Sequence, residues 1–446
     1  MRLTLLGVLA LATLACCQET CHSSDEDPYV LFGTKTAYTF ANQGIPFNRA
    51  HDVPGCQPIA IWLLNRHGSH NPEADEIADL QKLSDLKNNI IANYRKGNFR
   101  DTNIRMCPSD VNLLERWEWN PRQNITFAGD LTSDGYISTQ QLAQAWKQKF
   151  PGLLTDNLHD YVFKYVNDQR SSTTFRAFTE GLFRAREDTY DITKENDEKL
   201  LRPEKFCSSW INNVEENNDT LTQLRTFESK QEYKEMISNI SLRLGFNYDI
   251  QKEIMKQMYQ MCRYNKAWDV SQISPWCAAF SKDDLKRLEY AEDLETYYKY
   301  GYGTPMNQQL GCTGIKDMMD FFKTHVERAA PQQPRARVQL ADAAQLLLAL
   351  AAAGARRDAA PLTGDNYHSA VAQARKWSAS AMAPFSGNFA AVLYKYVARK
   401  YDSICVITVR RKRLFIQKCS ISDAHRTVIY KSTTSIRCCS WKTRDR

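Results

Sequence analysis

Arginine, histidine and glycine stand side by side at residues 66–68, directly after the apolar run Ile61-Trp62-Leu63-Leu64 and shortly before Pro72. Arginine stays charged, and its planar fork matches phosphate oxygens. An imidazole beside it can attack phosphorus and form a covalent intermediate. Gly68 reads as a place where backbone must come close to a ligand. Taken alone, the tripeptide describes an ordinary loop histidine equally well. A second cation, Arg170, follows another short apolar run at residues 161–166. Two strand ends that each carry a phosphate-binding cation make a stronger case than either one.

The elements that position these residues follow from periodicity. Residues 59–64 are short, apolar and bounded by Pro58 and Asn65, which predicts a buried strand. Ile77, Leu80, Leu83, Leu86 and Ile90 keep helical spacing over residues 73–98. Thr132-Ser133 opens a helix that runs to residue 150. Residues 161–166 predict a second strand, and residues 171–186 a helix capped by Ser171 or Ser172. Residues 190–300 are polar, acidic and helix-rich without a clear strand, which suggests a helical insertion. A helix over 315–328, a linker at 331–334 and a buried Ala/Leu-rich helix over 341–353 follow. Strand, charged loop and helix in alternation argue an α/β sheet, whose ligands sit beyond the carboxyl ends of its strands.

Composition narrows the function class. The 446 residues carry a formal charge of +7, but residues 401–446 hold 11 Lys/Arg against three Asp. The remaining body has 47 basic and 48 acidic residues, so it is no polyanion-binding surface by charge, and no nucleic-acid module is visible. The tail, with Arg410-Arg411-Lys412-Arg413 and Cys438-Cys439, reads either as a polyanion-binding arm or as an atypical, unordered segment, and the second reading is favoured. Residues 1–17 have the charged start, apolar centre and small-residue end of a secretory signal peptide. The sequons at Asn124, Asn218 and Asn239 agree with passage through the secretory pathway, to the cell exterior, the cell surface or an endoplasmic-reticulum or lysosomal lumen. Cysteine usage then points to disulfides rather than zinc, because no CxxC spacing occurs. No stretch is long enough to span a membrane, although peripheral association is compatible with the basic tail.

Taken together, these residues resemble the histidine acid phosphatase family, and within it the branch that acts on multiple inositol polyphosphates. Arg66-His67-Gly68-Ser69-His70-Asn71-Pro72 is similar to the RHGxRxP signature, with His70 in place of the second arginine. Phe32-Gly33-Thr34-Lys35-Thr36, Asp168-Gln169-Arg170 with Ala177–Phe183, and Gly301-Tyr302-Gly303 with Gly311-Cys312 and Lys316–Met319 carry the rest of the likeness. The resemblance implies a phosphoglycerate-mutase-like α/β core at 18–189 and 301–400, with an α-helical cap inserted at 190–300 and an atypical segment from 401.

It further implies that His67 is the nucleophile, that Arg66 and Arg170 hold the phosphoryl oxygens, and that no metal or cofactor is needed. His70 would be a titratable cation in an acidic lumen. Lys35 would either reach an outer phosphate or remain a solvated surface lysine. The family's late His-Ala-Glu aligns with Leu340-Ala341-Asp342, which makes Asp342 the proton donor and sets Leu340 as an apolar wall against the phosphate. The resemblance also pairs Cys262 with Cys277, closing a short loop worth about 3 kcal/mol on a chain-entropy view. The partner is then a small phosphorylated substrate. The leading expectation is a secreted or lumenal acid phosphatase of inositol polyphosphates, with bisphosphoglycerate as a further substrate, working through phosphohistidine. The alternative is a weakened or inactive phosphate-binding relative, and an intracellular mutase is disfavoured by the leader and sequons.

Overall fold

A computed structural model of the chain describes residues 21–22, 29–41, 55–184, 192–327 and 333–396, together with the strand backbones of 402–409 and 412–420. Seven strands form one sheet: β1 (Cys56–Arg66), β2 (Tyr161–Tyr165), β3 (Thr193–Glu195), β4 (Ala336–Ala341), β5 (Asn388–Tyr396), β6 (Asp402–Val409) and β7 (Lys412–Ser420). Their order is β3-β2-β4-β1-β5-β6-β7. The first four are mutually parallel, while β5, β6 and β7 run antiparallel to their neighbours. Buried on both faces, the central parallel strands read as unbroken apolar runs.

Alternate residues of β1 serve opposite faces. Trp62 and Leu64 join the core beneath the helical layer, and Ile61 and Leu63 the core of the other face. That other face is covered by α2 (Ser133–Lys149) and α3 (Gln169–Phe183), through Leu142, Trp146 and Phe178. The first face carries α1 (Ala74–Gln81), α4 (Lys252–Trp268), α5 (Lys282–Tyr300), α6 (Pro305–Glu327) and α7 (Ala343–Ala352). Cys262 in α4 is disulfide-bonded to Cys277, as expected, and a second bridge joins Cys21 to Cys107. Asn218 and Asn239 lie exposed and Asn124 half-buried, so the first two sequons are open to solvent.

Several expectations are corrected. Leu80, Leu83, Ile90 and Leu114 share one core with Phe227, Met258 and Leu294, so the helical layer also draws on chain outside the 190–300 stretch. The 190–300 stretch contributes β3, whose three residues are too few for a sequence pattern. The helix over 73–98 breaks at Lys82 into two. Helix α3 begins earlier than expected: Asp168 is its cap, and its carboxylate accepts from the Ser171 amide at 2.8 Å. The β-rich run 404–416 lies in a hairpin over 402–420 that continues the sheet on the free edge of β5, so the favoured unordered reading of the tail does not hold there. The leader at 1–17, Arg410-Arg411 and Cys438-Cys439 lie outside the described residues.

Candidate active site

Register brings the site together. Arg66 lies opposite Ala341 on β4, and Leu340 pairs with both Asn65 on β1 and Tyr165 on β2. The three strands therefore end at one level; His67 follows β1 and Asp342 follows β4, both lining one cleft, and Asp168 stands three residues beyond β2. The His67 amide donates to Ala341 O at 3.2 Å, and the Ser386 amide donates to His67 O at 2.9 Å. Gly68 is required for a reason other than ligand approach. A β-carbon on it would collide with the Gly135 carbonyl, and one on Gly135 would collide with the Ser69 backbone. The nucleophile loop and the first turn of α2 thus touch backbone to backbone.

His67 is almost fully buried. Its Nδ1 lies 2.9 Å from Gly68 O. A carbonyl can only accept, so Nδ1 carries the proton and Nε2 holds the lone pair. Burial pushes the imidazole down to about 4; the Asp342 hydrogen bond opposes this, and Arg170 and Arg66 add to it. His67 is therefore uncharged over most of the acidic range, with the lone pair of Nε2 free to react. Its Nε2 lies 3.4 Å from Asp342 Oδ1.

The arginines are fixed from behind. One Arg66 terminal nitrogen donates to Thr34 O and, at 2.8 Å, to Ala383 O, while its guanidinium lies 4.5 Å from the Phe385 ring centre. Arg170 donates to Glu73 Oε1 at 2.9 Å. In both, the Nε–H is buried without an acceptor among the described residues. Arg66 lines the cleft beside His67, and Arg170 is not part of that lining but adds its charge to the field on the imidazole.

Other expected residues are placed as follows. His70 is buried, with its ring centre 5.1 Å from that of His67, and its Nδ1 donates to Asn71 O at 2.6 Å. Burial, then His67, Arg170 and Arg66, hold it well below the ordinary histidine range, so in this structure it is neutral rather than the cation the sequence suggested. Lys35 lines the cleft, 3.8 Å from Glu76 Oε1, and burial lowers it to about 8, with Arg263 adding to the shift. It is therefore not a solvated surface lysine.

Leu340 is fully buried with Val338 and Leu63 in the core of the opposite face, so it does not wall the phosphate. It is Asp342, the cap residue of α7, that reaches the cleft, followed by Ala343 and Ala344. Burial alone would raise the Asp342 carboxyl, but His67 and Arg202 outweigh it and hold the group well below the ordinary range. Arg202 Nε donates to Asp342 Oδ2 at 2.6 Å, and its other arm reaches Asp168.

Arg202 and Glu204 escaped the sequence reading, because a lone Arg-Pro-Glu-Lys stretch in a charged region carries no spacing signal. Both belong to the site's surroundings. Glu204 lines the same cleft of about 560 Å³ as Arg66, His67, Lys35 and Asp342. Among the described residues, no helix is long and apolar enough to cross a membrane.

The model of the Histidine phosphatase superfamily (branch 2) matches residues 60–410. The chain is 32% identical to multiple inositol polyphosphate phosphatase 1 of Drosophila melanogaster over 425 residues, covering 94% of this chain and 88% of that protein. It is 27% identical to the Homo sapiens protein of the same name over 396 residues, covering 83% and 78%. Among solved structures, the phytase from D. castellii superposes with a TM-score of 0.67 at 16% identity, covering 94% of this chain and 88% of that one. The multiple inositol polyphosphate phosphatase of Bifidobacterium longum, in complex with inositol hexasulfate, gives 0.62 at 12% identity, covering 87% and 93%. At such identities the structural likeness speaks to the fold.

Proposed function

Because the chain belongs to branch 2 of the histidine phosphatase superfamily, we propose that it is an acid phosphatase of inositol polyphosphates that works through a phosphohistidine on His67. The observation that carries this reading is the buried, uncharged His67 imidazole on the lining of one cleft with Arg66, under the charge of Arg170 as well. A phosphoryl group in that cleft would meet these cations while presenting phosphorus to Nε2. Attack there splits one difficult displacement into two, and water then hydrolyses the phosphohistidine.

Lys35 and Arg263, both lining the cleft, add cations suited to a substrate with several phosphates, bisphosphoglycerate included. A protein of the same fold from B. longum was solved with inositol hexasulfate, which supports that class. The two disulfides suit an oxidising compartment, and with the leader and sequons they support a secreted or lumenal protein.

A weakened relative is favoured by one specific observation: Asp342, read as the acid, is held ionised by Arg202 and has no proton to give. The test is phosphate release from inositol hexakisphosphate and from 4-nitrophenyl phosphate between about pH 4 and about pH 7, with wild type and His67→Ala. Wild-type release that vanishes in the variant and survives chelator is expected. A fully active His67→Ala protein refutes the phosphohistidine route, and an inactive wild type leaves the binding-only reading.

A further inference from the structure

Five carboxylates line the cleft: Glu204, Glu228, Glu292, Glu295 and Asp342. Four are held by cations. Glu228 pairs with Lys252 at 2.7 Å and Lys256 at 2.6 Å, and Glu295 with Lys299 at 3.7 Å. Glu292 binds Arg263 and accepts from the Thr34 amide at 2.7 Å, and Asp342 binds Arg202. Glu204 alone among them has no cation within ion-pair distance among the described residues. It is 6% exposed, and its Oε2 is buried without a hydrogen-bond partner. An unpartnered carboxylate so placed pays a large desolvation penalty, whereas a carboxylic acid does not.

We propose that the Glu204 carboxyl is the proton donor to the leaving-group oxygen, a proposal that rests on the phosphomonoesterase reading above. The turn Pro203–Phe206 that carries it starts directly after Arg202, whose guanidinium is clamped between Asp168 and Asp342. That clamp ties the turn to the ends of β2 and β4. Beyond Asp342, the start of α7 offers the cleft only the methyl groups of Ala343 and Ala344, so no donor comes from there. Burial pushes Glu204 up to about 7, nearby Asp342 adds to this, and its own backbone amide, Lys205 and Arg202 oppose it. These groups and Tyr300 are the charged and titratable neighbours that face it.

In the first step His67 Nε2 bonds to phosphorus, the P–O bond to the alcohol breaks, and the leaving oxygen takes the Glu204 proton. In the second, water attacks phosphorus, its two protons stay on the phosphate, and Glu204 takes a proton back from solvent. The P–N bond then breaks, releasing inorganic phosphate and restoring both side chains. Asp342 is thereby a positioning residue for His67 and Arg202.

The test compares leaving groups. Inositol hexakisphosphate expels a poor alkoxide that needs a proton, and 4-nitrophenyl phosphate expels a phenolate that does not. Glu204→Gln should lose on the order of a hundred-fold or more in kcat on the first substrate and little on the second. It should also lose the alkaline limb of the pH profile. The retained nitrophenyl activity shows that the variant is folded. Glu204→Asp, which keeps an acid, should retain the leaving-group pattern of wild type. Asp342→Asn should lose similarly on both substrates. An active wild type whose Glu204→Gln variant is unchanged, or falls equally on both substrates as Glu204→Asp also does, overturns the assignment alone. A leaving-group-selective loss in Asp342→Asn overturns it too. Wild type inactive on both substrates overturns the phosphomonoesterase reading and the assignment with it.

Discussion

A neutral imidazole and a protonated carboxyl must coexist for phosphoryl transfer here, and burial sets both conditions. His67 loses its proton above about 4, and Glu204 keeps its proton below about 7. The kcat/KM profile should therefore be a bell with an optimum between those values, measured on inositol hexakisphosphate. Glu204→Gln should remove only the upper limb. Stability follows the same histidines. Their folded-state values lie below the unfolded value, so the unfolded chain binds more protons as pH falls. Stability is then full above about 6.5 and declines toward about 4. For His67 the loss reaches roughly 3 kcal/mol, and His67→Gln should flatten the decline in urea melts at about pH 7 and about pH 4.5. An equally steep decline in that variant would exclude His67 as its source. His70, neutral here, contributes in the same direction, so a permanent charge at that place is a gain that His70→Arg alone would supply.

Strands and their ends decide which residues meet. The apolar runs of β1 and β2 were legible because parallel strands bury both faces, and so was the Thr132 cap of α2, though not the Asp168 cap of α3. Residues that act through register were not. Leu340-Ala341-Asp342 looks like one motif in sequence, yet strand alternation sends Leu340 to the far core while the cap of α7 turns Asp342 into the cleft. Leu340→His, which the sequence alignment recommends as a repair, should instead cost about 2–4 kcal/mol by burying an unpartnered imidazole. It should bring no gain in turnover, as thermal melts and kcat together would reveal. Gly68 was noticed for the wrong reason, since a close approach between two backbones leaves no periodic trace. Gly68→Ala should displace the nucleophile loop from α2, lowering both Tm and kcat. Full activity with an unchanged melt would mean the contact is looser than drawn. Glu204 was illegible because its importance lies in what it lacks, a cation, and no sequence shows an absent neighbour.

Across the whole molecule, one helical layer is assembled from two distant stretches of chain, with the Cys262–Cys277 bridge inside it. Replacing both cysteines by alanine should remove about 3 kcal/mol and lower Tm while leaving KM nearly unchanged, because the bridge sits in the core and not in the cleft lining. A large rise in KM with Tm unchanged would contradict that. The sheet order has a consequence for how the protein is made. Among the described strands β1 is synthesised first and leads into His67, yet its flanking partners follow some 270 and 330 residues later: Ile61 pairs with Ala336 and with Val392. Arg66 likewise bonds to Ala383 O, and His67 O to the Ser386 amide. A nascent chain therefore carries its most apolar strand unpaired through most of translation, a state that favours slow folding and calls for chaperones. It also means that the cleft around Arg66 and His67 stays unformed on the ribosome until residues 383–392 have emerged.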